Sequence, residues 1–304
     1  MKKLLLSVTL CLPLLSFAAE GADTTLIKSH LTAITKTKGF RNHNNTDLLN
    51  ATAAYIQNQL SKYSTNVTIQ EYTVKGKGYK NVLCSFGPAD AKRIIIGAHY
   101  DVCGDQQGAD DNASGITGLL ELARMLKDKP LTYRIDLVAY TLEEPPYFEE
   151  VEMGSYVHAK SLADNHTDVY GMVSLEMIGY FKDAKHTQSY PIKPLKLLYG
   201  SRGNYITLVR KPGSGKFAAR FARAFKRSDE IRTVKFTAPA YLPGIDFSDH
   251  RSYWHFHFSA LMITDTAFLR NKSYHEATDV MEALDIPRMA AVIDGVYTAL
   301  QDMQ

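Results

Sequence analysis

Apolar residues along this chain recur with two different periods, and the switches between them divide it into elements. Helical spacing runs through residues 24 to 36 and 46 to 63. In the second stretch Leu49, Ala53, Ile56 and Leu60 form one stripe, with Asn45 or Thr46 placed to cap it. From Asn66 the period drops to two, through Val67, Ile69, Tyr72 and Val74. Residues 81 to 86 continue as strand, Gly87-Pro88-Ala89-Asp90 makes a turn, and 93 to 98 returns as the partner of a hairpin. A helix is expected over about 112 to 127, a strand over 134 to 141, a helix over 154 to 162 and a strand over 169 to 178. Residues 195 to 201 read as a further strand, 216 to 227 as a helix, 258 to 264 as a strand, and 286 to 300 as a closing helix with Pro287 in its first turn.

Strands alternating with helices predict a single α/β domain. Its sheet should be mixed and mostly parallel, covered by helices on both faces, with an antiparallel hairpin at the start. No repeat, low-complexity linker or shift of composition divides the chain. The helix at 216 to 227 carries Phe217, Phe221 and Phe225 on one stripe and basic residues opposite. A membrane-surface helix has that pattern too, but a helix packed on the sheet with a solvated basic face is far commoner, and is the expectation here.

Residues 1 to 18 stand apart from this plan. Met1-Lys2-Lys3 is basic, residues 4 to 15 are apolar, and Ser16-Phe17-Ala18 suits a cleavage site. The apolar run is too short to span a bilayer comfortably, so a signal peptide is expected rather than an anchor. The protein is then exported, to the periplasm or beyond, without a stable membrane anchor, and residues 19 to 304 form the folded domain. Removing 18 of 304 residues leaves 286, and the loss of Lys2 and Lys3 lowers the formal charge from +3 to +1. Nothing in that balance implies a nucleic-acid partner. Of the three cysteines, Cys11 leaves with the signal peptide. Cys84 and Cys103 lie out of register across the expected hairpin, so two separate thiols are expected rather than a bridge.

Candidate chemistry collects where strands end. The run Ile94-Ile95-Ile96 leads into Gly97-Ala98-His99-Tyr100-Asp101, then into Gly108-Ala109-Asp110-Asp111-Asn112-Ala113-Ser114-Gly115. The strand reaching Thr141 is followed by Glu143-Glu144. The strand through Val173 ends at Glu176, and the one ending near Thr264 is followed by Asp265 and then Tyr274-His275. In open α/β sheets the carboxyl ends of strands form the ligand-binding rim. Imidazoles and carboxylates brought together there suit zinc or a similar divalent ion. Adjacent glutamates in an extended segment point opposite ways, so one can hold an ion while the other moves a proton.

With Leu175-Glu176-Met177-Ile178-Gly179 and Ser248-Asp249-His250 added, these segments resemble, in order and rough spacing, the co-catalytic dizinc aminopeptidases. That family includes secreted bacterial leucine aminopeptidases, with glutaminyl cyclases as relatives, and the resemblance runs from about residue 80 to the C-terminus. It implies a zinc-exopeptidase-like fold holding two Zn²⁺, with Co²⁺ or Mn²⁺ as substitutes. It makes Asp111 the bridging ligand, with His99 and Glu176 completing one ion's protein ligands and Glu144 and His275 the other's. It also makes Glu143 the general base that deprotonates a bridging water, and Tyr274 a residue that helps hold the oxyanion. Asp101 is placed to orient the His99 ring, while Asp110, Asp249 and His250 stand behind the ligands. Substrates would be peptides with a free N-terminus; oligomeric state is left open.

The chain departs from that pattern in two places. Glu176 stands where many members have Asp, and residues 145 to 152 form an acidic insertion at the rim, read as a solvated loop. His158, His166, His186, His255 and His257 have no matching partners and are expected on the surface or in the core. A glutaminyl cyclase-like enzyme with one zinc is the alternative reading. A carboxypeptidase would need a cationic pocket, for which Arg202, Arg210 and Arg251 are the candidates. The specificity pocket is expected from loops 180 to 212 and 237 to 247, with Tyr241 and Phe247 in its wall.

Overall fold

A computed structural model describes residues 21 to 192 and 194 to 304 of the chain. The expected signal peptide, with Cys11, lies outside the described residues. The eight strands are β1 (Val67–Val74), β2 (Lys77–Phe86), β3 (Arg93–His99), β4 (Arg134–Tyr140), β5 (Val169–Glu176), β6 (Ile206–Arg210), β7 (Thr233–Thr237) and β8 (Ala260–Thr264). They form one sheet in the order β1-β2-β4-β3-β5-β8-β6-β7. The β4-β3-β5-β8 centre is parallel throughout, β1 and β2 add an antiparallel edge, and β6 turns antiparallel against β8. The fold is the single mixed, mostly parallel α/β domain expected.

Alternation along β3 divides the core in two. Ile94, Ile96 and Ala98 pack into a large apolar cluster with helices α1 (Thr24–Thr35), α2 (Thr46–Leu60), α3 (Gly115–Leu126), α6 (Gly215–Ser228) and α8 (Ile286–Gln301). Ile95 faces the other way, into a smaller cluster with α4 (Gly154–Asp164) and α7 (His250–His255). That division is what a strand buried on both faces requires. The Phe217, Phe221 and Phe225 stripe of α6 is buried in the large cluster, as expected of a helix packed on the sheet. Asn45 caps α2 by accepting from the Leu48 N–H at 3.2 Å.

Three expectations need correction. Residues 195 to 201 are not a strand: Leu195–Tyr199 is a short helix, α5, entered through Pro194, with Leu197 and Leu198 exposed. The strand positions at that edge are filled by β6 and β7, whose five residues each were too short to stand out. The hairpin also differs. β2 turns back on β1 across Lys75-Gly76, and its other neighbour is β4 rather than β3. β3 is apolar on both faces and takes the centre of the parallel sheet, so the turn at 87 to 90, where Ala91 N–H donates to the Pro88 carbonyl at 3.3 Å, leads past β4 instead of closing a hairpin. Finally, the helix expected from 112 starts at Gly115, after a wide turn through Ala109–Ser114. Among the described residues no helix is long and apolar enough to cross a membrane. Both described cysteines are free, Cys84 buried in β2 and Cys103 partly exposed beyond β3.

Candidate metal centre

The parallel centre of the sheet delivers its terminal residues to one rim. His99 ends β3, Glu176 ends β5, and Glu143-Glu144 follow β4 by two residues. His99 and Glu176 share the parity of Ile95 and Met172, so both leave the sheet on the side of the smaller core. Asp111 arrives from the turn before α3. Gly108 makes that turn possible, with φ of +56°; a side chain there would strike Val102 and the Asp111 carbonyl. Asn112 fixes the turn to β5 and α3: its amide donates to the Leu175 carbonyl at 2.8 Å, and its oxygen accepts from the Gly115 and Met177 N–H groups.

Asp111 sits between two histidines. Its Oδ1 lies 3.3 Å from His99 Nε2, and its Oδ2 lies 3.3 Å from His275 Nε2. On the first side Glu176 Oε2 is 3.4 Å from His99 Nε2; on the second, Glu144 Oε2 is 3.0 Å from His275 Nε2. Glu143 Oε2 stands 3.7 Å from His99 Nε2. His99, Asp111, Glu143, Glu144 and Glu176 are buried, while His275 is about a quarter exposed. Several of these atoms have no hydrogen-bond partner although buried: His99 Nε2, Asp111 Oδ2, Glu144 Oε1 and His275 Nε2.

Buried polar atoms are nearly always bonded, so orphans that converge on common points ask for a ligand. Two donors on a tetrahedral ion with bonds of 2.0–2.1 Å stand about 3.3 Å apart. The observed separations match that spacing, and the imidazole and carboxylate donors suit zinc. The residues therefore fit divalent metal.

Electrostatics point the same way. Burial pushes the Glu144 carboxyl up to about 8, reinforced by Asp111, and burial likewise raises Glu143 and Glu176. For His275 burial works downward, but Asp111 and Glu144 hold its imidazole up at about 10. His99 is raised as well, by Glu143 and Glu176 against its own burial, and the two histidines hold Asp111 below the usual carboxylate range. Protons are here balancing a charge that bound cations would balance.

The supporting residues have specific tasks. Asp101 has its carboxylate 3.6 Å and its carbonyl 3.3 Å from His99 Nδ1, which places it behind that ring as expected. Its two oxygens also accept from the Glu143 and Glu144 N–H groups, at 3.2 and 3.1 Å, so one side chain sets three others. Asp110 accepts from Gly179 N–H and Asn271 Nδ2 and does not face the cluster. Asp249 is buried with both oxygens unbonded, and burial raises it to about 7. His250 stands close to the Ile245 carbonyl and edge-on to Trp254, a structural position.

Two residues escaped the sequence reading, and two more were named there without a role. Asp279 accepts from the Asp110 and Asp111 N–H groups and so sets the bridging position. Arg41, fully buried, donates to the carbonyls of Ile34, Tyr100, Gln107 and Gly108 and shapes the loop between His99 and Asp111. Ser248 donates to Glu176 Oε2 at 2.7 Å, and Asp265 accepts from Tyr180 N–H. Neither Asp279 nor Arg41 lies in a pattern that chemistry alone would single out.

Beside the cluster opens a cavity of about 290 Å³. Asp111, Glu143, Glu144, Glu176 and His275 form one end, and Phe148, Tyr199, Phe236, Phe247 and Phe268 form much of the rest. Both expected loops contribute, joined by residues 262 to 269, which were not anticipated. Phe247 lines it; Tyr241 does not and is 87 % exposed. Tyr274 also lines it, its ring stacked on His275 with centroids 3.8 Å apart. No lysine or arginine among the described residues lines the cavity, and Arg251 is instead paired with Glu149 of the insertion. The insertion leaves Glu149, Glu150 and Val151 exposed, as expected of a solvated loop, while its Pro145 and Phe148 reach the cavity.

Comparison with known proteins places this architecture. The model of peptidase family M28 matches residues 81 to 300. The chain belongs to peptidase family M28. The uncharacterized protein YfbL of Escherichia coli (strain K12) is 42% identical over 275 residues, covering 88% of this chain and 84% of that one. Aminopeptidase YwaD of Bacillus subtilis (strain 168) is 34% identical over 83 residues, 25% of this chain and 18% of that one. Among solved structures, the LapA aminopeptidase of Legionella pneumophila superposes with a TM-score of 0.70 at 19% identity, covering 92% of this chain and 72% of that one. A Tannerella forsythia glutaminyl cyclase gives 0.69 at 19%, covering 93% and 100%. M28 members are zinc-dependent, so the chain is a metallopeptidase-like hydrolase by family.

Proposed function

We propose that this M28 protein is an exported aminopeptidase that removes N-terminal residues, favouring large apolar ones, from peptides with a free N-terminus. The observation carrying the reading is Asp111, whose two oxygens each face a separate histidine–carboxylate pair at the mouth of an apolar cavity. Asp111 with His99 and Glu176 would hold one zinc, and Asp111 with Glu144 and His275 a second. When bound, the ions polarise the scissile carbonyl and lower the pKa of an attacking water.

Glu143 is the one carboxylate of the cluster outside both ligand sets. Burial raises its pKa, which suits a group that takes a proton from water and returns it to the leaving amine. Tyr274 keeps its phenol protonated, since burial raises it further above its ordinary range, and it lines the cavity where a carbonyl oxygen would gain negative charge. The aromatic wall takes the first side chain, and among the described residues no lysine or arginine lines the cavity to capture a C-terminal carboxylate.

A second reading is a one-zinc glutaminyl cyclase, since cyclase structures are covered as completely as that of a leucine aminopeptidase precursor. One experiment separates the two. Chromogenic aminoacyl amides with leucine or phenylalanine should be cleaved, their N-acetylated forms should not, and metal analysis should find two ions per chain. Release of ammonia from N-terminal glutamine with one ion per chain would replace this assignment with the cyclase.

A further inference from the structure

Cys103 lies on the loop between β3 and the Asp111 turn, and its Sγ lies within 4.8 Å of a carboxylate oxygen of Glu144 and a ring nitrogen of His275. The same pair has donors to spare: Glu144 is buried with Oε1 unbonded, and His275 Nε2 makes no hydrogen bond. Among the described residues Cys103 has no disulfide partner, since the other described cysteine is buried in β2. From these observations we infer that Cys103 is a sulfur donor to the ion held by Glu144 and His275, making the two metal positions chemically unequal. The inference rests on the metal reading given above.

Geometry permits the contact. Zinc–sulfur bonds are about 2.3 Å and zinc–nitrogen bonds about 2.0 Å, so two such donors on one tetrahedral ion stand about 3.5 Å apart. A present separation of at most 4.8 Å is within the reach of side-chain torsions. The chemistry is asymmetric. The position beside His99 offers only nitrogen and oxygen, from His99, Asp111 and Glu176. The position beside His275 adds a soft thiolate, which shifts preference from hard ions such as Mn²⁺ toward zinc, cobalt and cadmium. A coordinating thiol gives up its proton to the solvent as the ion arrives, with no redox change.

The test uses the full-length protein, stripped of metal and reloaded with two equivalents of Co²⁺. A near-ultraviolet sulfur-to-cobalt charge-transfer band is expected in the wild type and in Cys84→Ala, and is expected to vanish in Cys103→Ala and Cys103→Ser. Visible cobalt bands should persist in all four, with the weaker equivalent bound at least roughly 10-fold less tightly in the Cys103 variants. Iodoacetamide labelling, read by peptide mass, should reach Cys103 in metal-free protein and slow at least about 10-fold after zinc is added, as expected for a metal-bound thiolate. Visible cobalt bands without the sulfur band, or labelling indifferent to zinc, would overturn the inference while leaving the metal centre standing. A protein that takes up no cobalt would overturn both.

Discussion

Two buried polar clusters flank the carboxyl ends of the central strands, and they are built on opposite terms. Around Asp111, three glutamates and two histidines converge with four unbonded polar atoms among them. Behind α4 and α7, His158 Nδ1 meets the Tyr253 hydroxyl at 2.6 Å, and that hydroxyl meets Tyr140 Oη at 2.6 Å. The second cluster closes on itself and needs no net charge. The first gathers carboxylates that repel one another and leaves bonding capacity pointing at shared space. Burial of an unpaired charge is costly, so a fold retains the first arrangement only for something that arrives from outside. Convergence of unsatisfied groups on shared space, rather than burial, residue type or a lone orphan such as Asp249, distinguishes a site from a scaffold here.

Removing the hub of the first cluster should have the largest effect. Asp111→Ala takes an oxygen from each metal position, so elemental analysis should find the ions lost, with affinity lower by more than roughly 100-fold and activity at background. A variant that kept two ions and its rate would dissolve the distinction between the clusters. Next comes Glu143→Gln, which leaves both ligand sets whole. Metal content should stay at the wild-type level while kcat falls by roughly 10²- to 10⁴-fold, the usual worth of a positioned proton carrier. Unchanged turnover would remove Glu143 from proton transfer.

The sequence showed these residues unevenly, for a physical reason. His99, Glu143, Glu144 and Glu176 were legible because each interrupts or closely follows a long apolar strand, where a titratable side chain is conspicuous. Asp279 and Arg41 matter just as much to the position of Asp111 and its loop, but they act through backbone N–H and carbonyl groups, which carry no sequence signature. The mostly parallel character of the sheet was legible from alternation of elements, whereas the β2–β4 pairing joins segments some fifty residues apart and is decided by which strand must be buried on both faces. At β6 and β7 the strands are five residues each, and the apolar run at 195 to 199 outweighed them although its Leu197 and Leu198 face solvent.

The smallest effect belongs to the closed cluster, and its sign is opposite in kind. His158 is buried, which lowers its imidazole to about 4 from an ordinary 6.5. Between those values the unfolded chain binds a proton that the folded chain excludes. Stability from this residue is therefore complete above pH 6.5 and is lost as pH falls toward 4, by at most about 3 kcal/mol. His158→Phe preserves an aromatic ring in the smaller core and removes the titration. At pH 7.5 the variant should be less stable by about 1 kcal/mol, the worth of one hydrogen bond to Tyr253. On acidification its urea midpoint should fall less steeply than that of the wild type, so that the two curves converge or cross between pH 6.5 and 4. Comparing the two proteins at equal zinc cancels the acid release of metal, which both share. Parallel curves would mean that the closed cluster carries a proton after all, and that satisfaction alone does not separate it from the site.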